Sequence, residues 1–178
     1  MKRLITLALI SVLLPLAMSA QGNCIYIEDF EIEPGATDSV LVLLSNVDPT
    51  RGLQFNISMP QGLEIDECEL TDYSQRNKMY LSFNDSKKDN SHVVFIYPMG
   101  LICYPAENSA AVMCLKIKAH KRFKGGEIVT WKCCGATMEN ETIAMDGRIT
   151  RVSVPKASLV GVPMDTQTAD DRFFQPTD

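Results

Sequence analysis

Cysteines and histidines are the residues of this 178-residue chain that are best suited to catalysis or metal binding. They are Cys24, Cys68, Cys103, Cys114, Cys133, Cys134, His92 and His120. The chain has no CxxC redox pair and no Cys/His spacing typical of a zinc site. Because no motif places a histidine to activate a thiol, we expect the cysteines to be small buried residues or partners in disulfide bridges. The pairing of such bridges stays open.

Acidic and amide side chains form two further groups. Segment 84–90 holds two Asn and two Asp, which could bind calcium, but the EF-hand spacing with its final Glu is absent. Segment 64–69 holds four carboxylates, which alternate between faces in a strand and are typical of a solvated sheet edge. Phosphate-binding loops and the GxSxG and HExxH motifs are absent too. The sequence therefore predicts no catalytic residue, no metal site and no cofactor, and so a protein that is not an enzyme.

Residues 1–20 have the pattern of a secretory signal peptide. Two basic residues precede an apolar run at 4–18, and small residues follow up to Ala20. Pro15 interrupts this run, which is short for a membrane span. We therefore predict an exported protein, periplasmic, cell-surface or extracellular, without a transmembrane anchor after cleavage. A lipoprotein acylated at Cys24 fits less well, because the residues before that cysteine are not small and apolar.

The charge of the chain argues against a nucleic-acid partner. Loss of residues 1–20, which hold two basic residues and no acid, takes the formal net charge from −5 to −7. A net-negative domain is repelled by phosphate backbones, and no basic stripe interleaved with aromatic residues is present.

Segment 34–65, PGATDSVLVLLSNVDPTRGLQFNISMPQGLEI, is the part on which the fold prediction depends. Between Leu53 and Met59 apolar and polar residues alternate strictly, which predicts a strand with one face in a core. The polar positions are Gln54, Asn56 and Ser58.

Further strands are predicted along the rest of the chain. Their approximate bounds are 24–33, 40–44, 63–65, 78–83, 92–97, 110–119, 127–133 and 147–154. The near-continuous apolar run at 92–97 predicts a strand buried on both faces. Val129, Trp131 and Cys133 share one side of their strand, so we expect Trp131 in the core.

Short strands separated by Gly, Pro, Asn and Asp turns predict an all-β fold, a single antiparallel β-sandwich. We divide the chain into a signal peptide (1–20), one domain (21–154) and a poorly ordered tail or linker (155–178).

The order of these segments resembles cohesin-like modules. An opening strand followed by segment 34–65 is similar to the start of such modules. HVVFIYPMG, NSAAVMCLKIKA and FKGGEIVTW resemble later strands of the family in the same order. The variant that it resembles most is common in secreted proteins of gut and oral Bacteroidetes. The resemblance covers roughly 25–154 and implies a jelly-roll sandwich of about nine strands, related in fold to carbohydrate-binding modules.

True cohesins bind dockerin modules, which assemble glycan-degrading enzymes. This chain departs from them, because it has no second cohesin, dockerin-like repeat or catalytic module and because six cysteines are unusual for the family. Fold similarity alone does not give function.

Our first hypothesis is an exported, non-catalytic binding or adhesion module that recognises a protein partner, with a dockerin-like module as one candidate. Its expected surface is the strand face of Gln54, Asn56 and Ser58 with an adjacent strand. The alternative is a small carbohydrate-binding protein linked to polysaccharide use at the cell envelope. Its tyrosines would be Tyr80, facing outward from a strand, and Tyr73 and Tyr104, in loops. A third hypothesis is a surface or periplasmic spacer without a ligand.

Overall fold

The computed structural model describes residues 22–86 and 90–156, with the backbone alone at 85–86. The predicted signal peptide and the segment beyond Lys156 lie outside the described residues, so both stay predictions. Within the described ranges, no helix is long and apolar enough to cross a membrane.

The described residues form twelve strands and one short helix. The strands are β1 (Cys24–Ile27), β2 (Phe30–Glu31), β3 (Thr37–Asn46), β4 (Gly52–Ser58), β5 (Leu63–Leu70), β6 (Met79–Ser86), β7 (Ser91–Pro98), β8 (Glu107–Ala119), β9 (Gly126–Ala136), β10 (Thr142–Ala144), β11 (Asp146–Gly147) and β12 (Ile149–Ser153). The helix α1 (Asp72–Arg76) was not predicted; it begins at the Thr71 cap and is too short to show helical periodicity. Nine strands have four or more residues, so the predicted all-β sandwich of about nine strands is confirmed.

Two sheets face each other. The five-stranded sheet has the order β11-β1-β3-β8-β5, and the seven-stranded sheet has the order β2-β12-β9-β4-β7-β6 with β10 beside β9. Most pairs are antiparallel, as predicted, but β1 with β11 and β12 with β2 are parallel. The acidic segment 64–69 lies in β5, at the edge of its sheet, as expected.

Alternation along the strands builds the core. In β4, Leu53, Phe55 and Ile57 are almost fully buried, and the residues between them face away from the core. Burying a side chain of this size stabilises the fold by about 1.5–3 kcal/mol. The predicted inward and outward faces of this strand are therefore confirmed.

Two predicted strands are each divided between the sheets. The predicted strand at 24–33 breaks after Ile27, so that β1 joins one sheet and β2 joins the other. The strand at 147–154 breaks in the same way, into β11 and β12. The buried Thr150 hydroxyl donates to the Ile27 carbonyl at 2.7 Å and so links the two sheets. The prediction of one continuous strand in each of these two segments was wrong, because the chain must turn from one sheet to the other to close a sandwich.

Gly147 lies where this crossing is tightest. A Cβ atom added there would lie 2.0 Å from the Thr130 carbonyl oxygen, a backbone atom that cannot turn aside. The same Thr130 donates its N–H to the Arg148 carbonyl at 2.9 Å. Only a residue without a side chain therefore lets β11 approach β9 this closely.

We predict that Gly147→Ala lowers the free energy of unfolding by about 1–3 kcal/mol or more, because the added methyl group forces β11 away from β9. Urea unfolding measures the change. Gly22→Ala is the matched control, since a Cβ there meets nothing within 4 Å. Equal stability of the two variants would contradict this account of the crossing.

Candidate functional site

The solvent-facing side of β6, β7, β4 and β9, called here the outer face, is the candidate site. Strand pairing arranges its side chains in rows. One row runs Ser82–Phe95–Gln54–Cys134, and the next runs Asn84–Val93–Asn56–Trp131. The expected surface residues Gln54, Asn56 and Ser58 all lie on this face, with Gln54 exposed and the other two half-buried.

Aromatic rings form one side of the outer face. Phe95 and Tyr97 on β7 are 38% and 46% exposed. The ring of Tyr80, on the edge strand β6, stacks on that of Tyr97 with centroids 6.2 Å apart. The prediction that residues 92–97 are buried on both faces was wrong. In this antiparallel strand the unbroken apolar run instead supplies the core on one side and an apolar surface on the other.

A bulge in β9 places Trp131 on the outer face. Lys132 has a positive φ of 50°, and at this point the register between β4 and β9 shifts by one residue. Trp131 therefore pairs with Asn56 and faces outward, whereas Cys133, beyond the bulge, faces the core. The prediction that Val129, Trp131 and Cys133 share one side was wrong, because a bulge reverses the alternation.

The Trp131 ring is held in place on this face. Its indole N–H donates to the Ser58 hydroxyl at 2.9 Å, and the Lys132 Nζ atom lies 4.7 Å from the ring centroid. The ring is half-buried rather than hidden, so it presents a preformed aromatic surface at low cost in side-chain entropy.

A groove of about 510 Å³ crosses the outer face beside the aromatic rings. Its lining includes Gly52, Gln54, Ser82, Phe95, Tyr97, Cys134, Ala136 and Thr142. Glycine, alanine and cysteine leave a depression between the bulky residues of β7 and the short strand β10. The sequence contains no direct sign of this groove, because its lining residues come from five strands.

Charge distinguishes the two sides of the sandwich. The outward positions at which β4 pairs with β7 and β9, and at which β6 pairs with β7, carry no charged residue. Glu127 and Lys132 of β9 are exposed outside these pairs. On the opposite sheet, Lys116 pairs with Glu67 at 3.3 Å and Lys118 lies opposite Glu64. Depletion of charge together with enrichment in aromatic residues is typical of the centre of a protein interface.

Two of the three tyrosines proposed for sugar binding lie away from this face. Tyr104 is fully buried rather than in a surface loop, and its hydroxyl lies 2.6 Å from that of Ser74. Burial raises the pKa of its phenol. Tyr73 belongs to α1, where its ring stacks on Tyr104 at 5.7 Å. Tyr104 holds α1, and with it Tyr73, against the core. Of the three tyrosines, only Tyr80 presents its ring on the outer face.

The histidines and the calcium-ligand candidate Asn90 contact neighbouring groups of the fold. His92 is buried and stacks on Phe83 at 5.1 Å, and His120 contacts the Glu64 carboxylate at 2.7 Å. Asn90, a proposed calcium ligand, instead donates to the Met59, Pro60 and Leu63 carbonyls. In the part of the chain that the structure describes, no group of three His, Cys, Asp or Glu could hold a metal.

All six cysteines are free thiols in the structure, which shows none of the expected bridges. Cys24 and Cys133 are buried, as expected of small apolar residues. Burial raises the pKa of the Cys133 thiol to about 12, which disfavours the reactive thiolate.

Comparison with known proteins identifies the fold. No protein-family model and no curated protein matches the sequence. Among solved structures, the chain is similar to the OlpA cohesin–dockerin complex of Clostridium thermocellum, with 17% identity, a TM-score of 0.61 and coverage of 75% of this chain and 99% of that one. It is also similar to the sixth cohesin of Acetivibrio cellulolyticus scaffoldin B, bound to a dockerin, with 13% identity, a TM-score of 0.60 and coverage of 75% of this chain and 99% of that one. A non-cellulosomal cohesin of Archaeoglobus fulgidus is similar at 14% identity and a TM-score of 0.55, with coverage of 73% of this chain and 90% of that one.

These likenesses confirm the predicted cohesin-like jelly-roll. They span nearly the whole length of each cohesin chain, so the sandwich corresponds to one complete cohesin module in fold. The narrower resemblance to Bacteroidetes modules stays a prediction.

We predict that the fluorescence of Trp131, the single tryptophan, is quenched by acrylamide in the folded protein, because the ring faces solvent. Stern–Volmer analysis of native and urea-unfolded protein measures this. Lys132→Ala should increase quenching, since the ammonium group that lies over the ring is removed. A native protein whose tryptophan resists acrylamide would place the ring in the core and contradict the bulge.

Proposed function

We propose that this protein is an exported, non-catalytic binding module that holds a dockerin-type protein on the outer face of β6, β7, β4 and β9. The observation that carries the proposal is the composition of this face, which is rich in aromatic residues and carries no charged residue where β4 pairs with β7 and β9, while the opposite sheet carries the Lys116–Glu67 ion pair. Burying uncharged surface avoids the desolvation cost that charged groups would incur.

Two further findings support a protein partner. Cohesin structures of the same fold include several complexes with dockerins. The site itself is a sheet with fixed rings, in which Phe95, Gln54 and Trp131 lie on three adjacent strands. A broad, rigid surface of this kind suits a folded partner, because little side-chain entropy is lost when it is covered.

We predict that Phe95→Ala weakens partner binding by at least about 2 kcal/mol, as expected for an aromatic residue near the centre of an interface. The mature domain is immobilised, proteins are captured from the native envelope and medium, and the captured dockerin-containing protein is then titrated calorimetrically. Leu41→Ala is the matched control, since Leu41 is 48% exposed on the opposite sheet.

Retention of that partner by wild type and Leu41→Ala, and its loss with Phe95→Ala, supports the proposal. A partner that depends on Leu41 and tolerates Phe95→Ala would move the binding site to the other sheet.

Carbohydrate binding is the second candidate, and the stacked rings of Tyr80 and Tyr97 favour it. Both rings are exposed, at 44% and 46%, and their planes are inclined by 28°. Such a pair could pack against the apolar face of a sugar ring, with Ser82 or Gln54 as hydrogen-bond partners.

A glycan array probes this alternative with wild type, Tyr80→Ala and, as control, Tyr26→Ala. Tyr26 lies on β1 in the other sheet, where its hydroxyl donates to Ser109. If sugars are bound, we expect Tyr80→Ala to abolish the signal and Tyr26→Ala to preserve it. Uniformly blank arrays would eliminate this candidate.

A further inference from the structure

The groove on the outer face has a specific origin in the sheet. On β4 and β9, Gly52 pairs with Ala136 and Gln54 pairs with Cys134, and on β10 Thr142 pairs with Ala136. Three of the four residues in the two β4–β9 pairs are therefore small. Their neighbours on β7 are the rings of Phe95 and Tyr97. A depression forms because small side chains lie next to large ones on the same surface.

The lining of the groove selects against charged occupants. Phe95, Tyr97, Ala136 and Gly52 offer apolar surface, and none of the lining residues carries a formal charge at neutral pH. A charged side chain placed there would lose water without gaining a counter-charge. An apolar side chain would instead gain about 25 cal/mol for each Å² removed from water.

Gln54 adds a side-chain amide to the groove, beside the hydroxyl groups of Ser82 and Thr142. The Gln54 side chain is exposed and, among the described residues, makes no hydrogen bond. Its amide offers both a donor and an acceptor. A strand or helix end that crosses the groove could use it for a backbone N–H or C=O group.

We propose that this groove receives an apolar side chain of leucine or methionine size from the protein partner, with Gln54 bonding the backbone that carries it. The inference rests on the proposed function and names the chemistry that the partner presents. The volume of about 510 Å³ accommodates such a side chain with its flanking backbone. Charged or strongly polar residues at that partner position would be rejected.

The first test needs no partner. We titrate the folded domain with 3-methyl-1-butanol, which carries a leucine-like branched chain, and follow backbone amide shifts by NMR. Shifts should concentrate at Gly52, Gln54, Cys134 and Ala136 and should disappear in Ala136→Leu, which fills the groove. Shifts that are absent, lie elsewhere or persist in Ala136→Leu would overturn the proposal.

The second test uses the partner captured by wild type. Ala136→Leu should weaken its binding at least tenfold, while Ser39→Leu, which adds the same bulk to the exposed outer side of β3, should change it less than twofold. Both variants should keep the wild-type unfolding midpoint. Loss with Phe95→Ala but not with Ala136→Leu would overturn the groove assignment and leave the proposed function standing.

Discussion

Burial of one side of each long strand is the constraint on which this structure depends. Two sheets exclude water between them only if alternate residues such as Phe55, Ile57 and Ile96 point inward. The same period of two forces the intervening residues outward, whatever their type. Packing of the core therefore fixes which residues face outward but does not fix their type, so the outward residues can be ones that bind a partner.

The two sheets use that freedom differently. On the five-stranded sheet, outward Lys and Glu residues face each other across β8 and β5, and such pairs keep an edge soluble. On the seven-stranded sheet, the outward residues Val93, Phe95 and Tyr97 of β7 supply rings and apolar surface, and the bulge at Lys132 adds Trp131 to them. Bulges redirect side chains without breaking a sheet. Contiguous exposed apolar residues mark interaction sites, which is why the partner is proposed to bind here.

Much of the fold could be predicted from the sequence, because alternation is a local property. The inward and outward residues of β4 and the acidic edge strand β5 follow from it directly. The outward position of Trp131 could not be predicted. The register shift at Lys132 depends on a positive φ, and nothing in the residue type of a lysine indicates one. Tyr104 was misplaced for a related reason: its burial requires α1 and Ser74, which the chain brings from 30 residues away. The run at 92–97 did contain the signal for the site, because an antiparallel strand that is apolar on both sides has an apolar face to cover.

Hydroxyl-radical footprinting of the protein, free and bound to its captured partner, tests the central claim most directly. The side chains of Phe95, Tyr97 and Trp131 should lose reactivity in the complex, and Leu41 on the opposite sheet should react as before. Protection of Leu41 with unchanged oxidation of the three rings would show that the outer face is not where the partner binds.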